Sequence, residues 1–221
     1  MAYTLLGSSI SPFVRKVMVF MAEKGVPYEH QDVNPFSPPD GFREVSPLGR
    51  IPAFRHDDRV VNDSSIICRY IERLHPSPAF YPSDPYQNAR AEWIEEYMDG
   101  GFIPVAGAKV FLPLVLRPLM SGQEPDETEP RKVIENELPP FFDYLDKQLG
   151  DSEYFVGNSM SIADISVACL LVQARLAGVN PDATRFPRLH AFLKRMHARP
   201  SLQAVIQPIL PLIGKRWKEL E

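Results

Sequence analysis

Cysteine is scarce in this chain: Cys68 and Cys169 are the only two among 221 residues, and neither has a CxxC partner or a histidine cluster beside it. That spacing excludes a disulfide framework and a thiolate metal site. Both residues lie within apolar helical patterns and read as buried, reduced thiols, as in a cytoplasmic protein. Charge of one sign is also lacking. A net charge of −4 offers no electrostatic footprint for nucleic acid. The five histidines, at positions 30, 56, 75, 190 and 197, never recur at the spacing that puts two ligands on one helical face. No phosphate-binding glycine loop, dinucleotide fingerprint, HExxH or GxSxG occurs. The N-terminus lacks the basic and apolar blocks of a signal peptide. The apolar stretch from Phe111 to Leu119 is interrupted by proline and carries Arg117, which argues against a membrane span.

Proline is the abundant residue. The chain has 23, dispersed along its length, which points to helix starts and rigid turns rather than one disordered tract. With 44% apolar and 24% charged residues the composition is that of a globular protein, long enough for one large domain or two small ones.

The first 75 residues alternate extended runs with helices. Tyr3 to Leu6 reads as a buried strand. Val14, Val17, Met18 and Met21 form a helical stripe that ends at Gly25, with Pro27 beyond. Tyr28 to Val33 reads as a strand and Asn34 to Asp40 as a proline-rich loop; "GFREVSP" holds at most a short helix. "RIPAFRHDDRVVND" predicts a hairpin turning at Asp57-Asp58, followed by a helix with Ile67, Tyr70, Ile71 and Leu74 on one stripe. The order βαβαββα predicts a mixed four-stranded sheet faced by helices. Residues 76–86, rich in proline and without periodicity, read as a linker between a domain at 1–75 and an all-helical domain at 87–221. Helices are expected over 86–112, 128–149, 161–177 and 186–199, the first two kinked or split by Gly100-Gly101 with Pro104 and by Pro139-Pro140.

Four short motifs stand out. "SSISPFVRKV" sets serines at 8, 9 and 11 before a helix, where a hydroxyl can cap the helix or do chemistry. "GRIPAF" puts Ile51-Pro52 ahead of an apolar strand; taken alone, this reads as a trans proline at a strand start. A cis bond there would leave the Ile51 N–H and C=O free for an extended peptide. "NDSSII" reads first as a helix cap by Asp63, yet the same helix start offers N–H groups and the Ser64 hydroxyl to an anion, with Asp63 able to accept from an ammonium. "MSIAD" has the spacing of a capping box, Ser161 with Asp164.

These motifs, in this order and around a proline-rich linker, resemble the cytosolic glutathione S-transferases along nearly the whole chain, in particular the serine-type tau- and zeta-like classes and related bacterial members. The resemblance implies a thioredoxin-like N-terminal domain, an all-α helical-bundle C-terminal domain, a homodimer, and glutathione bound at the first domain. It makes Pro52 cis. It places the catalytic serine at Ser11, with Ser9 as the alternative in a shifted register, and names Phe13, Arg50, Ile51, Pro52, Asp63 and Ser64 as glutathione-binding. Asp63 and Ser64 would hold the γ-glutamyl end, the Ile51 backbone the cysteinyl part and Arg50 the glycyl carboxylate. Asp63 stands where the family has Glu, a shorter reach. Tyr97, Met98, Phe102 and Lys109 are candidates for the walls of the electrophile site or, equally, for core or dimer contacts. No metal is implied. The function implied is conjugation of glutathione to small, apolar electrophiles in cytoplasmic detoxification, with glutathione peroxidase activity as a companion. Two alternatives are a maleylacetoacetate-type isomerase using glutathione as a recycled cofactor, and a non-catalytic stress protein of the same fold.

Overall fold

Strand β1 (Tyr3–Leu6) is central, and its buried Leu5 and Leu6 set the core of the first half of the chain. The structure, a computed structural model, describes residues 2–220. They divide into two units, one closing at Tyr81 and the next opening at Pro82. In the first unit β1 is followed by α1 (Pro12–Glu23), β2 (Glu29–Gln31), the one-turn α2 (Phe42–Val45), β3 (Ala53–His56), β4 (Arg59–Asn62) and α3 (Ser64–Leu74). The sheet order is β2-β1-β3-β4. β1 runs parallel to β2 and antiparallel to β3, with Leu5 opposite Phe54 and Leu6 opposite Ala53, and β3 turns back into β4. This is the mixed four-stranded, thioredoxin-like sheet that the βαβαββα order predicts.

Helix α1 differs from its expected amphipathic form. Val14, Val17 and Met21 are buried as the stripe requires, but so are Arg15, Lys16, Val19 and Phe20. The two buried cations have polar partners within the fold: Arg15 holds loop carbonyls, and Lys16 Nζ donates to Ser65 Oγ on α3 at 3.1 Å. Lys24, the last residue before the Gly25 turn, is enclosed as well. Its Nζ pairs with Glu72 at 2.7 Å and donates to the carbonyls of His75 and Pro78 at 2.7 and 2.6 Å. Glu72 in turn accepts from the Phe80 amide at 3.1 Å. The segment from Pro76 to Tyr81, which composition assigns to the linker, is thereby packed onto the first unit, with Phe80 against Phe20 and a second cis bond at Ser77-Pro78.

The second unit is entirely helical among the described residues. Helix α4 spans Pro85–Ser121 without a break. At Gly100-Gly101, where a kink or split is expected, the helix is not split, and π-helical turns cover Tyr97–Phe102 and Ala106–Leu116. The wider i→i+5 ring takes up Pro113, which has no N–H to give. Length and composition alone would let α4 cross a bilayer. Its Met98, Phe102, Ala106 and Val110 are nonetheless fully buried within the chain. Helices α5 (Thr128–Asn136) and α6 (Pro139–Leu149) are split at Pro139-Pro140 as expected. Helix α7 (Ile162–Leu176) is buried along its whole length, and α8 (Pro187–His197), α9 (Pro200–Ile206) and α10 (Leu210–Ile213) complete the unit. The capping box at the start of α7 is formed. Asp164 accepts from the Ser161 amide and hydroxyl, each at 2.8 Å, and from the Phe155 amide at 2.9 Å.

Candidate active site

The β1–α1 turn is the first component. Gly7 ends β1 with φ 149°, and a Cβ there would lie 2.6 Å from Val14 Cγ2 and 3.0 Å from Ile51 Cβ. Only glycine lets the strand end, the start of α1 and the Ile51 backbone come this close. The Gly7 amide donates to Gln31 O at 3.0 Å, and His30 Nε2 donates to its carbonyl at 2.7 Å. Ser11 then caps α1, with Pro12 at the first helical position. The cap is weak: the Val14 amide reaches Ser11 Oγ at 3.5 Å, the outer limit of a hydrogen bond.

The second component is the turn before β3. Ile51-Pro52 is cis, as the resemblance implies and against the trans reading of the motif by itself. The β1–β3 ladder begins at Ala53, so the Ile51 backbone lies outside it and is open to an extended peptide. Ser46, buried, clamps the neighbouring Arg50. Its hydroxyl donates to the Arg50 carbonyl at 2.7 Å and accepts from the Arg50 amide at 3.1 Å, while the rest of Arg50 is exposed.

The third component is the start of α3. Asp63 has φ 74°, ψ 131°, a backbone conformation that non-glycine residues adopt only under constraint. Its Oδ1 accepts from the Ser65 and Ile66 amides at 3.0 and 3.2 Å. Among the described residues, that cap leaves Oδ2 and the Ser64 amide without a partner. Together with the dipole of an eleven-residue helix, this makes a place for an anion beside a carboxylate.

Phe13, Arg50, Ile51, Pro52, Asp63 and Ser64 all line one cleft of about 190 Å³ in the first unit. Ser46, Pro47, Leu48 and Asn62 complete its walls. The sequence reading missed these four. Ser46 and Asn62 act through the backbone, Asn62 Nδ2 donating to Val45 O at 3.0 Å, and no periodicity marks such a residue. Ser11 is not among the lining residues; it stands two positions before Phe13, which is.

The four electrophile-wall candidates do not converge. Met98 and Phe102 have no exposed surface, and the Phe102 ring packs against Phe141 and Phe142, so these two are core. Tyr97 is half-buried, its ring 4.4 Å from Tyr144, whose hydroxyl accepts from Trp93 Nε1 at 2.7 Å. Burial, with Tyr144 beside it, pushes the Tyr97 phenol up to about 12, so it stays protonated. Lys109 pairs with Glu137 at 2.7 Å and lines a cavity of about 690 Å³ in the helical unit, together with Pro113 and Arg117. Cys68 and Cys169 are both buried, and among the described residues no group of three histidine, cysteine or carboxylate side chains could hold a metal.

A thioredoxin-like sheet with a cis-proline cleft, followed by a helical unit, defines the class of protein. The chain belongs to the glutathione S-transferase family. Residues 5–79 match the family's N-terminal domain and residues 115–208 its C-terminal domain. An uncharacterized GST-like protein, YibF, of Escherichia coli is 30% identical over 92% of this chain and 98% of its own length. A glutathione S-transferase of Triticum aestivum is 30% identical over 94% of this chain and 95% of its own. Among solved structures, a glutathione S-transferase from Methylobacterium radiotolerans, in complex with glutathione sulfonate, superposes with a TM-score of 0.76 at 24% identity. That match covers 93% of this chain and 95% of the other.

Proposed function

We propose that this protein conjugates the thiolate of glutathione to small electrophiles, with the tripeptide lying in the cleft of the first unit. One observation carries the reading: the six residues named for glutathione from sequence share a single cleft. In it the γ-glutamyl carboxylate meets the Ser64 amide and hydroxyl, and its ammonium meets Asp63. The cysteinyl backbone pairs with Ile51 beside cis-Pro52, and Arg50 faces the glycyl carboxylate. Ser11, at the start of α1, donates its hydroxyl proton to the sulfur.

The chemistry asked of Ser11 is modest. A free thiol with pKa about 8.5 is only a few per cent ionised at pH 7, and the thiolate is the nucleophile. A hydroxyl donor and the positive end of α1 both favour the charged form. Lowering the pKa by one to two units takes about 1.4–2.7 kcal/mol, within the reach of those two effects. Ser11 thus holds the thiolate, which attacks the electrophile; the serine forms no bond to it. The helical unit supplies the electrophile's surface, and of the four residues first considered Lys109 and Tyr97 keep exposed atoms for it. The homodimer, the cytoplasmic setting and the detoxification role belong to this proposal.

The test is product analysis with glutathione and three probes: a chlorodinitrobenzene-type aryl halide, an organic hydroperoxide and a cis-unsaturated diacid. Conjugation of the aryl halide with first-order dependence on enzyme is expected. Turnover of the diacid alone would make the protein an isomerase, and turnover of none of the three would make it a binding protein.

A further inference from the structure

Ser11 is held in place by something other than its own cap. The cap bond from Val14 is at the 3.5 Å limit. The loop before it, Ser8 to Ile10, is tied to it by the Ser11 amide, which donates to Ser8 O at 3.0 Å. Yet two successive carbonyls of this loop, at Ser9 and Ile10, are both taken up by a single side chain. Arg15 Nη1 donates to Ser9 O at 3.0 Å and to Ile10 O at 2.7 Å, while the residue's backbone amide makes only the ordinary helical bond to Ser11 O at 3.1 Å. Arg15 is 0% exposed and sits on the first turn of α1.

We propose that Arg15 is the positioning residue of the active-site loop: by holding the carbonyls of Ser9 and Ile10 toward α1, its guanidinium fixes where the Ser11 hydroxyl stands. The role of that hydroxyl rests on the transferase reading above; the hold on the loop does not. The physical reason for arginine is specific. A guanidinium keeps its charge when buried and presents rigid donors in one plane, so a single nitrogen can bridge two neighbouring carbonyls. Bonds from a charged donor are also the stronger kind. A lysine ammonium at the same depth reaches with a flexible tip and holds the pair less firmly. A methionine fills the space and leaves both carbonyls without this donor.

Arg15→Met and Arg15→Lys separate positioning from mere support, with thermal midpoints measured on each. In Arg15→Met the kcat for aryl-halide conjugation falls about tenfold and the thiolate absorbance of bound glutathione titrates about one unit higher, because a tenfold loss of thiolate is one unit of pKa. The KM for glutathione stays within about twofold, since the cleft residues are untouched. Arg15→Lys recovers part of both. Independently of any substrate, hydrogen exchange at the Ser11 amide speeds up in Arg15→Met while the amides of Val17 to Met21 keep their protection. A wild-type thiolate titration with unchanged Ser11 exchange overturns the inference, as does exchange that rises evenly along α1. If wild-type protein binds no glutathione, the transferase reading fails, and the exchange result alone decides the role of Arg15.

Discussion

Removing the Ser11 hydroxyl separates its two duties, because the structure makes one of them small. As a helix cap it receives only the 3.5 Å bond from Val14, and α1 is held by a face that is buried almost all round. Ser11→Ala therefore costs stability at the low end of the range for caps, about 0.5 kcal/mol. In its proposed role as donor to the glutathione sulfur it would account for at least about one unit of thiol pKa, or about 1.4 kcal/mol, a tenfold change in thiolate near neutral pH. The assay is conjugation of an aryl halide from pH 6 to 9 with a thermal melt beside it. At pH 6.5 the variant is at least about tenfold slower, and the deficit shrinks above about pH 8.5, where the thiol ionises unaided. The melting midpoint barely moves. A deficit of constant size across the pH range, or a rate loss that tracks a large fall in midpoint, refutes the reasoning. Loss of activity in Ser9→Ala with Ser11→Ala silent moves the role to Ser9.

Gly7→Ala puts a methyl group 2.6 Å from Val14 and 3.0 Å from Ile51 at positive φ, so a loss of about 1–3 kcal/mol in denaturant melts is expected, with weaker glutathione binding; unchanged values for both contradict the close approach. Lys24→Met strips the partner from the nearly buried Glu72 and frees the segment at Pro78. A loss of about 3–5 kcal/mol is expected, partly restored in the double variant with Glu72→Gln, and a neutral single variant would sink the tether. Burial pushes the Asp164 carboxyl up to about 6 despite four hydrogen bonds that act the other way. Raised above its unfolded value, it gives stability that is fully present below about pH 4 and lost as pH rises through 6, about 3 kcal/mol over that window. Its carboxyl carbon resonance therefore titrates near pH 6, and a midpoint near 4 contradicts this.

The sheet was legible because its signals are local: Leu5 and Leu6 in β1 and the Asp57-Asp58 turn lie where alternation and turn chemistry put them, while β3, read from the sequence as Ile51 to Arg55, runs from Ala53 to His56 because the cis Ile51-Pro52 turn comes first. β2 is shorter than the run from Tyr28 to Val33 suggests, since only Glu29 to Gln31 find partners on β1. Gly100, Gly101 and Pro104 read as breakers, but the helix runs on through them, with the two glycines in π-turns and Pro104 in an α-helical turn beyond, and with Met98 and Phe102 buried. The cleft was legible through its motifs, all six of its named residues lying on one loop and two helix starts. Arg15, Lys16 and Lys24 were not, because a cation inside a helix pattern reads as a solvated face until the carbonyls and hydroxyls that receive it are seen.

The central claim is that the cleft of the first unit binds glutathione through the start of α3. Calorimetric titration of the wild-type protein and of Asp63→Ala with glutathione tests it most directly. The account predicts saturable one-site binding by the wild type and binding at least about tenfold weaker in the variant, as loss of a charged hydrogen bond implies. No heat of binding at millimolar glutathione, or equal affinity in Asp63→Ala, would contradict it.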